Sequence, residues 1–274
     1  MIQAFVRGVS VWGPGLEGWA TARAVFCGDR DYIATEATPP SPSILPPAER
    51  RRSSQVVRLA LAAAHEAVLA SGLDPSALHS VFATSNGDAA VIHAILETLV
   101  SAEPLVSPTQ FHNSVHNAAA GYWTIGAQSR APATCLGCHD ASFAAALLKA
   151  VSELHVERTP VLLCVYDAPL PPPLDACRPT SAGFAAAFVL EPEKSAHSLA
   201  RLLVRYESQP CTPDQEAPRQ PALRALARGN PAARSLRLLE AIAAPRADDF
   251  AAGLLDGRIL ISVRTCSTEA ASST

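Results

Sequence analysis

The residues most suited to chemistry lie in TCLGCHD, residues 134–140, where two cysteines and a histidine have the spacing C-x-x-C-H. Cys135, Cys138 and His139 in this spacing are typical of c-type haem attachment. The same thiols could form half of a zinc site or a redox dithiol. A further alternative is a strand that runs into a helix, with a cysteine at the bend.

The rest of the sequence disfavours haem and metal. The only methionine is Met1, so no methionine is available as an axial haem ligand. A structural zinc site needs four ligands, usually as two close-spaced pairs, and the cysteines outside 135–138 are isolated from one another. We therefore expect no cofactor and no metal ion.

Composition indicates a folded protein that does not bind nucleic acid. Of the 274 residues, 49% are hydrophobic and 17% are charged, with a formal net charge of −3. The opening MIQAFVRGVSVWGPG is too rich in glycine for a signal peptide, and no apolar run reaches the ~18 residues of a membrane span. We expect a cytoplasmic protein without membrane insertion, in which the cysteines remain free thiols.

Apolar strands alternate with alanine-rich helices along the first two thirds of the chain. The predicted strands are 3–11, 81–85, 131–137, 161–168, 183–191, 199–207 and 257–264, and the predicted helices are 49–71, 89–99, 112–128, 140–154 and 233–243. Such alternation predicts an α/β fold with a mixed, mostly parallel sheet of about five strands and helices on both faces.

The composition changes after residue 207. We expect one domain over 1–207 and a proline-rich linker or loop over 208–232. Residues 233–274 would then form a small appendage of one short helix and one strand, with a disordered tail.

These elements place Cys138 at a strand-to-helix elbow. Free N–H groups and the helix dipole at such a position lower a thiol's pKa and can hold an oxyanion. The alternative is a small, inert core residue.

Several segments in this order resemble the N-terminal half of the β-ketoacyl synthases, which have a thiolase-like fold. They are LPPAERRRSSQVVRLALAAAHEAV, SVFATSNGD, FHNSVHNAAAGYWTIGAQSRAP and PATCLGCHDASFAAALLKA. The combination of HNSVHNAAAGYW with DASFAAALL is most similar to the chain-length factors of aryl polyene and related polyketide clusters. The resemblance covers about residues 1–243 and implies a thiolase-like half fold. Cys138 falls nearest the acyl-accepting cysteine, and His139 is the other choice.

The departures from that family point to a subunit without its own condensing activity. A condensing synthase uses two histidines, or a histidine and an asparagine, from loops such as His-Gly-Thr-Gly, and this sequence contains no such loop. The resemblance therefore implies a non-catalytic subunit that pairs with a full-length ketosynthase or with itself. It would shape the acyl cavity in aryl polyene, polyketide or fatty-acid-like biosynthesis, together with an acyl carrier protein.

The alternative is a cysteine-dependent acyltransferase or thioesterase of β-ketoacyl synthase type. In it, Cys138 would be the nucleophile and His112 or His116 the base, because the resemblance places their segment near the elbow; a histidine there could also line an acyl tunnel. The two histidines stand at i and i+4, the spacing of two metal ligands on a helix, but no glutamate lies between them as in H-E-x-x-H. The competing interpretation places this segment at a partner interface, with an apolar patch over 111–128. The candidate interface residues are Phe111, Asn113, Asn117, Tyr122 and Trp123.

Overall fold

A single sheet of nine strands runs through the described part of the chain, which is residues 1–244 and 246–266 of a computed structural model. The strands are β1 (Ile2–Gly13), β2 (Leu16–Glu17), β3 (His79–Ala83), β4 (Ala133–Leu136), β5 (Val161–Asp167), β6 (Phe184–Glu191), β7 (Ala200–Glu207), β8 (Asp248–Leu254) and β9 (Gly257–Thr265). The helices are α1 (Gly18–Cys27), α2 (Pro47–Arg52), α3 (Gln55–Ser71), α4 (Ala89–Leu99), α5 (Pro108–Asn113), α6 (Ala118–Gly126), α7 (Ser142–Glu157), α8 (Leu174–Cys177), α9 (Pro213–Glu216), α10 (Arg224–Gly229) and α11 (Leu236–Ala243).

The strand order is β4-β3-β5-β6-β1-β7-β9-β8, with β2 paired to β1. Only β3 pairs in parallel, with β4 on one side and β5 on the other; the remaining described pairings are antiparallel. The α/β class and the mixed sheet are confirmed, but the prediction of mostly parallel pairing in about five strands is wrong. Helical crossovers join β3, β4 and β5, whereas β8 and β9 are joined by a two-residue turn that reverses direction.

Helices cover both faces of the sheet because the central strands are apolar on both sides. Along β5, Leu162 and Cys164 face the layer that contains α3 and α6, while Leu163 and Val165 face the layer that contains α7. The period of two along a strand separates these two sets of side chains. Because β3 pairs in parallel with β4 and β5, the carboxyl ends of these three strands lie side by side at one end of the sheet.

The region predicted as a separate appendage belongs to the same sheet. Strand β9 pairs with β7 from Ala200–Thr265 to Glu207–Arg258, and β8, which the sequence analysis missed, extends the sheet further. The prediction of a small appendage is thus wrong for the described part of 233–274. The tail predicted to be disordered lies, from residue 267 onward, outside the described residues.

The proline-rich segment 208–232 packs on the core and does not behave as a linker. Leu223 is fully buried in the main cluster. The backbone N–H groups of Arg219 and Gln220 donate to the Glu240 carboxylate over 2.7 and 3.0 Å. These bonds satisfy a segment that has no regular periodicity, which explains why sequence patterning did not detect its order.

The predicted helix over 112–128 is interrupted. Helix α5 ends at Asn113 and α6 starts at Ala118, so the intervening residues form a turn. Among the described residues, no helix is both long and apolar enough to cross a bilayer.

Candidate functional site

The elbow between β4 and α7 is a tight turn. The backbone N–H of Cys138 donates to Ser142 Oγ over 2.9 Å, and Ser142 Oγ donates to the His139 carbonyl over 2.7 Å. Helix α7 starts only at Ser142, so Cys138 lies before the helix and not at its first residue. The Cys138 N–H is already bonded within the turn. It is therefore not free for the oxyanion that the sequence analysis anticipated.

The bend itself falls one residue later, at His139. This residue has φ 48°, the left-handed region that non-glycine residues rarely adopt. Holding such a residue there costs on the order of 1–3 kcal/mol, which the surrounding contacts must offset. The His139 side chain is 74% exposed, so the elbow presents this imidazole to the surface.

The two thiols of the C-x-x-C-H pattern lie on opposite faces of the sheet. Cys135 packs against the cluster on the α3 side, and Cys138 packs against the cluster on the α7 side. Burial raises the pKa of the Cys135 thiol to about 11, which disfavours the thiolate needed for metal binding. Within the described ranges, no group of three or more His, Cys, Asp or Glu side chains could hold a metal ion.

The structure brings one of the two candidate histidines to the elbow. His116 Nε2 lies 3.3 Å from the Thr84 carbonyl oxygen, and a Cβ added at Gly137 would be 3.1 Å from the same nitrogen. His112 instead packs edge-on against the Tyr122 ring, with centroids 5.7 Å apart. Because α5 ends between them, the two histidines do not share a helix face as predicted. Their catalytic roles stay predictions.

Three of the five predicted interface residues are buried within the chain. Tyr122 and Trp123 are 1% and 0% exposed, and Tyr122 Oη donates to Asn113 Oδ1 over 3.0 Å. The buried Asn113 in turn donates from Nδ2 to the Arg52 carbonyl. An interface role for these three is contradicted, because their rings and amide complete the core beside α3. Phe111 and Asn117 are exposed and remain candidates.

A charged cluster that sequence reasoning missed surrounds the elbow. Arg178 Nη2 donates to Asp140 Oδ1 over 2.8 Å, and Arg234 Nη2 donates to Asp140 Oδ2 over 3.0 Å. Arg178 also contacts His139 and donates to Asn86 Oδ1. Burial raises the pKa of Asp140, but the Arg178 hydrogen bond and the Arg234 charge outweigh it and bring the pKa below its ordinary value. The arginines lie 38 and 94 residues from Asp140, too far for any local motif to reveal.

A second buried carboxylate supports the loop after β3. Asp167 Oδ1 accepts from Thr84 Oγ1 and from the Ser85 N–H, each over 2.8 Å. Burial raises the pKa of Asp167 to about 6, although these hydrogen bonds oppose the shift. Asp167 thereby holds the loop that leads into α4, whose N-cap is Asp88.

A groove of about 920 Å³ opens beside this loop. It lies between the β1–β2 turn and the first residues of α3 and α4, at the carboxyl ends of β3 and β5. Its lining is mostly apolar and includes Trp12, Tyr32, Val56, Leu59, Val91 and Leu226. Cys138, His112 and His116 do not line it, so the groove and the elbow are separate features.

The sheet and the elbow at the end of β4 can now be compared with known proteins. The family model of the β-ketoacyl synthase N-terminal domain matches residues 26–245, and the chain therefore belongs to that family. The resemblance stated from the sequence is confirmed. No curated protein matches the chain.

Solved structures share the thiolase-like fold at low identity. A chain in the complex of the ketosynthase ApeO with its chain length factor ApeC from Xenorhabdus doucetiae has a TM-score of 0.72 at 20% identity, covering 96% of this chain and 100% of that one. The ishigamide ketosynthase/chain length factor gives 0.73 at 15%, covering 97% and 100%. AntDE:AntF, a type II polyketide synthase acyl-carrier protein in complex with its ketosynthase, gives 0.73 at 12%, with the same coverage.

Proposed function

We propose that this chain is a non-catalytic, chain-length-factor-like subunit that pairs with a catalytic ketosynthase and shapes the acyl cavity of a polyketide or aryl polyene pathway. One observation carries the proposal. Helix α4, AAVIHAILETL, is strongly apolar, yet the only one of its residues that is buried is Ala89. An apolar helix left open in the single chain requires a partner to cover it.

The uncovered surface extends beyond α4. Helix α5 packs against α4, and the segment between them adds further exposed side chains. The exposed apolar residues of this α4–α5 surface are Ile92, Leu96, Leu99, Val100, Leu105, Phe111 and Val115. The surface includes the start of the predicted 111–128 patch and extends from there back to the preceding helix.

The elbow supports a subunit without condensing activity. The Cys138 N–H is bonded to Ser142, and both His139 and Asp140 are engaged by Arg178. The only histidine after His155 in the sequence is His197, on the β6–β7 loop. The loop follows the end of β6, which lies beside the start of β5. It is therefore at the opposite end of the strands from the elbow, which follows the carboxyl end of β4. His197 is therefore too remote to stabilise an enolate at the elbow.

The structural neighbours support the choice of partners. They include a ketosynthase in complex with its chain length factor and an acyl-carrier protein in complex with its ketosynthase. We therefore propose a full-length ketosynthase as the covering partner and an acyl carrier protein as the source of the acyl chain.

Co-expression with the full-length ketosynthase of the same genome tests the proposal. The wild-type chain should co-purify and elute with the synthase as a heterodimer. Replacing Leu96 and Leu99 by arginine should abolish pairing, because two charges would be buried in an apolar interface. The matched control is Leu69→Arg on α3, where the leucine is 66% exposed and lies outside the α4–α5 surface.

The arginine variant tests the α4–α5 surface, and the wild-type chain tests the subunit function. Pairing that survives both arginines would reject the α4–α5 surface. A wild-type chain that pairs neither with the synthase nor with itself would reject the subunit function. In that case the acyltransferase alternative gains support, because His116 lies beside the elbow.

A further inference from the structure

A second, smaller pocket lies at the opposite end of the strands from the elbow. It has a volume of about 440 Å³ and opens where β1, β7 and β9 run side by side, next to the β6–β7 loop. Three cations, an aromatic ring and two uncharged polar side chains line this basic pocket: Lys194, Arg201, Arg264, Phe5, Gln3 and Thr265. No acidic side chain among the described residues lines it, so the wall is cationic.

Strand register places two of these cations directly opposite each other. Arg201 on β7 pairs with Arg264 on β9, and Phe5 on β1 pairs with Arg201 from the other side. The three side chains therefore stand on one face of the sheet. Cβ atoms of directly opposite residues on antiparallel strands are about 5 Å apart, and like charges at this separation are destabilising. An anion bound between the two guanidinium groups would offset their repulsion.

The chain compensates only part of this positive charge. Arg264 Nη1 donates to Asp249 Oδ1 over 2.7 Å, and Arg264 Nη2 donates to Asp249 Oδ2 over 3.2 Å. Within the part of the chain that the structure describes, Arg201 and Lys194 form no ion pair. Both residues are exposed, so a ligand that enters the pocket can reach their charges.

We propose that the basic pocket binds the doubly charged phosphate group of a phosphate monoester. The planar guanidinium of Arg201 matches two phosphate oxygens at once, and Lys194 adds a second charge. The Gln3 amide and the Thr265 hydroxyl are further donors at the wall. The volume exceeds that of a phosphate ion, which leaves room for the organic part of the ester. The inference goes beyond the proposed function, because the pocket is remote from the elbow and requires no ketosynthase.

Titration calorimetry on the purified full chain, at pH 8 and low ionic strength, tests the charge requirement. Phenyl phosphate carries two negative charges at this pH, because the second pKa of a phosphate monoester is about 6. Methyl phenyl phosphate, a diester, carries one. We expect phenyl phosphate to bind about tenfold more tightly than the diester. Equal affinities would overturn the proposal, as would sodium sulfate that binds as tightly as phenyl phosphate.

Sedimentation with phosphatidylcholine vesicles that contain phosphatidic acid separates two sources of the same chemical group. A soluble ester as the ligand predicts that the chain remains in the supernatant. Sedimentation that Arg201→Gln abolishes would support the same phosphate site and assign it to a lipid headgroup.

Two neutral substitutions on one strand identify the cation. Arg201→Gln should weaken the binding of phenyl phosphate at least tenfold, whereas the control Arg205→Gln should change it less than twofold. Both arginines are exposed on the same face of β7, but Arg205 pairs with Glu207 and lies outside the pocket. Equal weakening by both substitutions would indicate a long-range charge effect and reject the pocket. Unchanged affinity in Arg201→Gln would reject it as well.

Discussion

Helices α3 and α4 begin alike and end in opposite environments. Ser54 Oγ caps α3 by accepting from the Val57 N–H, and Asp88 Oδ1 caps α4 by accepting from the Val91 N–H. Both helices are rich in alanine, valine, leucine or isoleucine. Helix α3 lies on β1, β5 and β6 and buries eleven residues, whereas α4 buries one.

This contrast shows what apolar composition does and does not imply. An apolar helix predicts that a face is to be covered, but it does not say whether the chain itself supplies the cover. Helix α3 is covered by its own sheet. Helix α4 packs mainly against α5, and all of its residues except Ala89 remain partly or fully exposed.

The largest expected effect contrasts a leucine from each helix. Leu61→Ala on α3 should reduce the free energy of unfolding by about 2–5 kcal/mol, because Leu61 is fully buried and a cavity would remain. Leu96→Ala on α4 should change it by less than about 0.5 kcal/mol in the isolated chain. Urea denaturation of both variants measures the difference. Equal losses would mean that α4 is covered after all.

A second pair sharpens the contrast by adding volume. Ala144 on α7 is 1% exposed, so Ala144→Trp should overpack the core and cost about 1–3 kcal/mol of unfolding free energy. Ala94 lines the open groove on α4, and Ala94→Trp should leave stability within about 0.5 kcal/mol, because the groove has room for the larger side chain. Thermal unfolding separates the two. A comparable loss of stability in Ala94→Trp would show that the groove is filled in solution.

The third prediction concerns the buried carboxylate that positions α4. The folded-state pKa of Asp167 is about 6, above its ordinary value of 3.8, so the folded protein binds more protons than the unfolded chain between about pH 4 and 6. Stability from this group is present below pH 4 and is lost as the pH rises through 6. Relative to Asp167→Asn, the wild type should lose on the order of 1–3 kcal/mol between pH 4 and 6.5.

Urea denaturation at the two pH values checks this, since the other carboxylates are common to both proteins. The control Asp249→Asn removes an exposed carboxylate whose pKa is lowered by its Arg264 hydrogen bond, so its contribution to stability is lost only below about pH 4 and the difference from wild type should stay nearly flat between pH 4 and 6.5. A wild type whose stability rises relative to Asp167→Asn over this range would contradict the prediction.

The smallest effect is expected at the elbow. Cys138→Ala should leave pairing intact and change product yield only modestly, because the turn is held by backbone and Ser142 contacts and not by the thiol. Product analysis in a pathway reconstituted with the ketosynthase measures it, with Cys177→Ala, at an exposed position, as control. Complete loss of product in a variant that still pairs would establish Cys138 as a nucleophile.

Local pattern predicted the elements near the elbow well. The strand that ends at Leu136, the helix that follows it and the helix that ends at Ser71 were all expected from periodicity. Of the elements that were missed, α9 lies in proline-rich sequence, and β8, DDFAAGL, contains aspartate, alanine and glycine, which are uncommon in strands. The order of the proline-rich segment depends on distant partners such as Glu240, which local pattern does not contain.

The sequence by itself determined the family, the elbow and the apolar nature of the segments beside it, because these depend on residue types at short spacing. Only the tertiary structure decided which surfaces stay open and which side chains meet. Cys135 and Cys138 pack against the clusters on opposite faces of the sheet, because Cys135 lies within β4 and Cys138 lies in the turn after it. The Asp140 cluster, the burial of Trp123 and the exposure of α4 depend on contacts between residues far apart in the chain, and such contacts form only when the sheet assembles.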